Sequence, residues 1–150
     1  MITEADHIQL VWDRGSTGTA QCGCGCGISV GAAGEWTPER LLTAAVESSV
    51  MTNFLGLAEA ARLEVLGYVS AGGVVAEPGE AGRLRVVMRP CVSVGDEKDV
   101  PSVHRFLAAA RDASPIVQSL EIEITVEHQR KRAEATVRSL PFFDPERKKA

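Results

Sequence analysis

Residues 37–61 read TPERLLTAAVESSVMTNFLGLAEAA and form the most strongly patterned stretch of the chain. Thr37 and Pro38 are typical of a helix start, since a threonine side chain caps the first turn and proline has no N–H to leave unpaired there. Glu39 adds a negative charge at the positive end of the helix dipole. Apolar residues follow on nearly every side of the helix, so we expect a long central helix buried in the core.

Five polar residues interrupt this apolar stretch: Glu47, Ser48, Ser49, Thr52 and Asn53. Buried polar groups need hydrogen-bond partners or take part in chemistry, so this helix is the first place to look for function. For Ser48 and Ser49 the pattern favours hydroxyls that bond back to the preceding helical turn. A serine hydrolase site would need a neighbouring base, but no histidine lies near Ser49 in the sequence and no G-x-S-x-G motif is present.

Alternation and turn residues divide the rest of the chain into strands and two shorter helices. Residues 100–112 have apolar side chains at helical spacing, and residues 113–119 predict a short helix with Ser114 as cap and Pro115 in its first position. Strands are predicted over residues 7–12, 19–30, 63–75, 83–94 and 120–127, with a further one at 133–140. Pro90 places its part of the fourth strand at an edge or a bulge. Strands grouped in hairpins around segregated helices predict one α+β domain over residues 1–150, with 141–150 as a tail.

The composition excludes several classes of protein. The 150 residues suffice for one core, with 45% hydrophobic and 24% charged residues and a net charge of −4. That charge makes a nucleic acid a poor partner. No apolar run approaches the ~20 residues of a membrane span, and the polar start MITEADHIQ is unlike a signal peptide. We therefore expect a cytoplasmic protein with no membrane partner, where cysteines are mainly thiols, and no cofactor.

Two segments resemble the OsmC/Ohr family, the osmotically inducible and organic hydroperoxide resistance proteins. PERLLTAAVESS, residues 38–49, is similar to the family's P-E-x-L-L-x-A-A-x-x-x-C stretch, and ASPIVQSLEIEITV, residues 113–126, is similar to its C-P-V-x-x-x-L segment and following strand. The order of elements also agrees along nearly the whole chain. The resemblance implies an OsmC-like α+β fold with an antiparallel sheet around a long buried helix, an intertwined homodimer, and thiol-dependent reduction of organic hydroperoxides between the subunits.

The sequence departs from that family at both reactive positions. Ser49 stands where the resemblance implies the peroxidatic cysteine, and Ser114 where it implies the resolving cysteine. A serine hydroxyl neither forms a sulfenic acid nor a disulfide, so the fold carries over but the usual chemistry does not. The resemblance further implies that Glu39 organises the site with an arginine from the N-terminal loop, for which Arg14 is the nearest candidate. A favourable charge at a helix start is the simpler interpretation of Glu39.

Cys22, Cys24 and Cys26 alternate with glycines in the predicted second strand. On one extended strand their thiols would share a face, with neighbouring Cα atoms ~6.6–6.8 Å apart, a marginal distance for a disulfide. Small buried residues, a metal site formed by these three cysteines, and redox chemistry are all compatible with this pattern. Cys91 would be a fourth metal ligand only if its strand paired suitably.

Three hypotheses for function follow. In the first, the protein is a non-peroxidase that holds a small, largely apolar ligand in the pocket between subunits, with Ser49, Glu39 and Ser114 as polar groups. In the second, it is a hydroperoxide reductase in oxidative stress defence whose working thiol is Cys22, Cys24, Cys26 or Cys91. In the third, it is a metal-binding or structural dimer.

Overall fold

The computed structural model describes residues 7–76, 79, 84–120 and 123–127. They form two three-stranded sheets and three α-helices. The first sheet contains β1 (Ile8–Arg14), β2 (Thr17–Cys22) and β3 (Gly27–Gly31). The long helix α1 (Pro38–Ala60) then leads to β4 (Val65–Ala76) and β5 (Leu84–Val94), and a 3-10 turn (Glu97–Asp99) precedes α2 (Val100–Ala113), α3 (Pro115–Ser119) and β6 (Glu123–Val126). This is the predicted α+β arrangement. The further strand at 133–140 and the tail at 141–150 lie outside the described residues.

Local signals place the helices where the sequence predicts them. Thr37 Oγ1 accepts a hydrogen bond from the Arg40 N–H at 3.3 Å and so caps α1. Ser114 Oγ accepts from the Val117 N–H at 3.2 Å, so it caps α3 as expected. A cap pairs one of the N–H groups that every helix start leaves unpaired.

The core lies between α1, α2 and β5. Its eight buried residues are Val46, Val50, Phe54, Val86, Met88, Val103, Leu107 and Ala110. On α1 the buried positions form a single stripe, whereas Ala45, Ser48 and Leu55 are exposed. Within one chain, α1 is therefore buried along one stripe of its surface only.

Helix α1 is also long and apolar enough to cross a membrane, if length and composition alone are considered. This corrects the expectation that no segment reaches that length. However, core helices of soluble proteins pass the same test, and α1 supplies the central residues of this core.

Two details of the sheets differ from the sequence expectations. Residues 19–30 do not form one strand, because β2 and β3 are antiparallel partners joined by a turn at 23–26. Strand β4 pairs antiparallel with β5, but β6 pairs parallel to β5, so the second sheet is mixed. Pro90 lies opposite Ser70 of β4 and two residues beyond Met88, the last residue of β5 for which pairing with β6 is described; its placement at an edge or a bulge stays a prediction.

Candidate functional site

Ser49 on α1 and Ser114 at the start of α3 lie side by side, although 65 residues separate them in sequence. Their hydroxyl oxygens are 2.6 Å apart, a short hydrogen bond in which either group can be the donor. Ser114 is completely buried. The prediction that Ser49 bonds back to its own helix was wrong, whereas Ser48 does so, donating to the Ala45 carbonyl at 3.2 Å.

A cavity of about 320 Å³ opens over Ser49. Its lining combines two aliphatic side chains with hydroxyl and amide groups: Ala45, Ser48, Ser49, Thr52, Asn53 and Ile116. The amide nitrogen of Asn53 is buried without a hydrogen-bond partner among the described residues. A buried donor left without a partner is costly.

The neighbouring hydroxyls determine what this place can do chemically. Both are neutral near pH 7 and can donate and accept hydrogen bonds. A hydroxyl does not form the sulfenic acid and disulfide on which two-electron peroxide reduction by thiols depends. The pair is therefore suited to recognition of a polar group.

Glu39 lies on a different cavity, of about 380 Å³. It precedes Ser49 by ten residues, which is about 15 Å along the helix axis. Three acidic residues, one arginine and Trp36 line this second cavity together with small and aliphatic residues: Glu35, Trp36, Glu39, Arg40, Thr43, Ala44, Glu47, Gly72, Gly73 and Val74. Within one chain, Glu39 and Ser49 thus do not share a cavity.

Arg14, the predicted partner of Glu39, ends β1 and is exposed. It is absent from the described lining of either cavity. Arg40 is the arginine beside Glu39 in the second cavity, and its guanidinium donates to the Glu35 carbonyl at 2.7 Å. The pairing of Arg14 with Glu39 stays a prediction.

Glu47 links α1 to the second sheet. Its Oε1 accepts a hydrogen bond from Ser70 Oγ at 2.7 Å. A Cβ added at Gly72 would lie 2.7 Å from the same oxygen and from the Val87 carbonyl, so only glycine allows this close approach. Burial, with a smaller contribution from Glu47, raises the pKa of Tyr68 to about 12. Tyr68 also packs against Phe54, with ring centroids 5.7 Å apart.

Several of these residues were not identified from the sequence. Tyr68, Ser70 and Gly72 lie on β4, and nothing in a strand pattern reveals which helix residue will face it. Arg40 follows Glu39 directly and is an ordinary residue of a first helical turn. Trp36 lines the second cavity and is 39% exposed.

The cysteines lie away from both cavities. Cys22 and Cys24 form a disulfide with a Cα–Cα distance of 5.3 Å, shorter than an extended strand allows, because the chain turns at this point. Cys26 and Cys91 are free and exposed. The Sγ atoms of Cys22, Cys24 and Cys26 all lie within 4.8 Å of one another, although not on one strand face as expected. Cys91 lies on β5, which pairs with β4 and β6 rather than with β2, so strand pairing does not bring it to the cluster.

Comparisons with known proteins place this geometry in a known fold. No family model matches the sequence, and no curated protein does. Among solved structures, an OsmC-like protein of unknown function from Vibrio cholerae has a TM-score of 0.72 at 20% identity, over 82% of this chain and 97% of that chain. An OsmC-like protein from Mycoplasma pneumoniae has a TM-score of 0.68 at 14% identity, over 82% and 94%.

A third similar structure is an organic hydroperoxide resistance protein. The organic hydroperoxide resistance protein OhrB of Bacillus subtilis has a TM-score of 0.60 at 14% identity, over 82% of this chain and 98% of that one. These matches confirm the fold that the resemblance implies. The protein therefore has the fold of the OsmC-like and organic hydroperoxide resistance proteins.

Proposed function

We propose that this protein is a non-peroxidase with the OsmC-like fold, which binds a small, largely apolar molecule over Ser49 in a pocket completed by a second copy of the chain. The observation that carries this proposal is the 2.6 Å contact between Ser49 Oγ and Ser114 Oγ. The two positions that the motif fills with reactive cysteines are neighbours here, and both carry hydroxyls. The described lining residues thus form a recessed place with hydrogen-bonding groups and no redox-active atom.

The lining of the cavity supports a ligand with one polar group. The Ser48, Ser49 and Thr52 hydroxyls offer hydrogen bonds, while Ala45 and Ile116 offer aliphatic contact. At about 320 Å³ the cavity is at the small end of the range for ligand sites. A carboxylic acid or alcohol with a short hydrocarbon chain fits this combination of groups.

The second copy is suggested by the N-terminal sheet. Strand register puts six apolar residues on one face of β1–β3, which we call the N-terminal apolar face: Ile8, Leu10, Trp12, Ala20, Ile28 and Val30. Ile8, Leu10 and Trp12 are 61%, 67% and 73% exposed. The opposite face is mostly polar. Among the described residues this sheet has only slight contact with the helices or the second sheet.

An amphipathic sheet needs a layer against its apolar face, since a small sheet is not stable alone in water. Helix α1 also has apolar surface to cover, because only 28% of its apolar 18-residue segment is buried in the single chain. A second copy that lays its N-terminal apolar face over α1 meets both needs at once. That arrangement also covers the cavity over Ser49 and supplies the apolar surface that one chain lacks.

Native mass spectrometry of the purified protein tests the ligand, followed by a thermal-shift screen with short fatty acids and alcohols. We expect a retained small molecule, or stabilisation by a member of the panel. Ser49→Leu fills the cavity and should abolish binding, whereas Ser93→Leu, the same change at an exposed position of β5, should leave binding intact. If neither wild-type protein nor Ser93→Leu binds any member of the panel, the proposal fails.

A further inference from the structure

The turn between β2 and β3 brings three cysteines together at the tip of a hairpin. Cys22 N–H donates to the Cys26 carbonyl at 3.0 Å and Gly25 N–H to the Cys22 carbonyl at 3.0 Å. Gly25 has φ +88°, a backbone conformation that favours glycine. This is the geometry of a three-residue hairpin loop closed by a glycine bulge. Because the loop is so tight, three sulfur atoms within 4.8 Å of one another are a direct result of the turn.

The Cys22–Cys24 disulfide contributes little to the stability of the fold. It joins cysteines two residues apart, so it closes a very short loop, for which the entropic stabilisation is smallest. The hairpin is already closed by its backbone hydrogen bonds and by pairing of Gln21 with Gly27. Cys24 and Cys26 are exposed to solvent, unlike most disulfides that stabilise a core.

From this arrangement we infer that the β2–β3 turn is a thiol–disulfide exchange site for low-molecular-weight thiols and disulfides, with Cys26 as a third, resolving thiol. Exchange requires a thiolate that reaches a disulfide sulfur, and access from solvent. Cys26 meets the first requirement against both sulfurs of the disulfide, and the exposed turn meets the second. This site is separate from the cavity over Ser49 and does not depend on the function proposed for it.

The reaction balances without a cofactor. In the reduced turn, one cysteine thiolate attacks a small disulfide, RSSR, breaks its S–S bond and releases RS⁻, which takes a proton from water. A second cysteine thiolate attacks the protein sulfur of the mixed disulfide and releases the second RS⁻. The net change is RSSR plus two cysteine thiols to two RSH plus the Cys22–Cys24 disulfide, so RSSR gains two electrons. A small dithiol drives the reverse reaction.

Cys26 adds a step that needs no external oxidant. Its thiolate attacks the Cys24 sulfur, forms a Cys24–Cys26 disulfide and releases the Cys22 thiolate. In the oxidised protein the free thiol is then shared between Cys22 and Cys26. Alkylation of the oxidised Cys91→Ser variant with iodoacetamide, followed by fragmentation of the peptide, should therefore find label on both residues. Label confined to Cys26 would contradict the role of Cys26.

The second test uses glutathione disulfide on the reduced protein, again in the Cys91→Ser background. We expect two glutathione molecules released per chain and no lasting adduct. In Cys22→Ser/Cys26→Ser, where Cys24 has no neighbouring thiol, the adduct should persist at least about tenfold longer. Circular dichroism verifies that the hairpin variants are folded.

Two results would overturn the exchange site. One is an adduct lifetime that is the same with and without the neighbouring thiols. The other is a thiophilic metal ion retained on purification that blocks all three thiols until a chelator removes it, because the turn would then be a metal site. Neither result bears on ligand binding over Ser49, which is measured separately.

Discussion

Ser49 and Ser114 are in contact, so two point mutations can test the difference between this chain and a peroxidase. The question is whether serine in place of two cysteines is the only difference that matters for activity. Sulfur and oxygen side chains differ little in size, so Ser49→Cys with Ser114→Cys should fold and bring two thiols together where the oxygens are now 2.6 Å apart. We expect this double variant to form a disulfide between the two positions and to consume an organic hydroperoxide. Peptide mapping without reductant and a hydroperoxide assay measure these outcomes.

The matched control is Ser93→Cys with Ser114→Cys, which has the same composition but puts one thiol at an exposed position of β5. It should show no such disulfide and no gain in hydroperoxide consumption. A folded Ser49→Cys/Ser114→Cys variant that is inert would contradict the view that the two serines alone disable the site. The surroundings of the pair would then have diverged too.

Tyr68 is the only tyrosine in the chain, so its ionisation can be followed by absorbance without interference from another phenol. Its pKa in the folded protein is about 12, raised mainly by burial, against about 10 in an unfolded chain. Between these values the folded state keeps a proton that the unfolded state loses. The free energy of unfolding therefore falls as pH rises from about 10 to about 12, and this stabilisation is present in full below that window.

After discounting for partial exposure of the ring, we expect a loss of roughly 1–2 kcal/mol across that window. Urea titrations at several pH values measure it, and Tyr68→Phe should remove this component of the pH dependence. Glu47→Gln should lower the pKa of Tyr68 only slightly, because the carboxylate is the smaller cause. A tyrosine that titrates near 10 in the folded protein would contradict the burial seen here.

At the scale of elements, the cap of α1 tests whether a local sequence signal has its usual value. Thr37→Ala removes the acceptor of the Arg40 N–H and should lower the free energy of unfolding by about 1 kcal/mol. Thr52→Ala is the control on the same helix, since Thr52 donates only to the Ser48 carbonyl in its own helix and is exposed. Alanine is a better helix former there, so no loss is expected. Equal destabilisation by the two changes in urea unfolding would show that the cap contributes nothing.

Elements with strong local signals were predictable, and their pairing was less so. The positions of three helices were predicted within a few residues, from the caps at Thr37 and Ser114 and from the apolar spacing of α2. The hairpin at Cys22–Cys26 was missed, because alternating cysteine and glycine has the period of a strand, while the signal for the turn is one glycine at positive φ. The parallel partner of β6 was also not readable, since its alternation is the same whichever direction the neighbouring strand runs.

At the scale of the whole molecule, the candidate site was also predictable from the sequence only in part. The resemblance to the family's two motifs predicted that Ser49 and Ser114 belong to one site, and the structure places them in contact. The residues of β4 that meet α1, such as Ser70, depend on long-range register, which no local pattern encodes. For the same reason the sequence alone did not separate the cavity at Glu39 from the one at Ser49.

The N-terminal apolar face makes a prediction about assembly. Leu10→Glu puts a charge in the middle of that face, where covering by a second copy would bury it without a partner. We expect the dimer to dissociate at least about 100-fold more readily, as measured by sedimentation velocity over a range of protein concentrations. Gln9→Glu is the matched control, because Gln9 points to the opposite, mostly polar face of β1 and should leave the association unchanged.

A wild-type protein that sediments as a single chain at every concentration, or a Leu10→Glu variant as tightly associated as wild type, would contradict the arrangement in which this face covers α1 of a second copy. In the proposed assembly the same cover closes the cavity over Ser49, so Leu10→Glu should also weaken ligand binding, which links the assembly of the molecule to its proposed function.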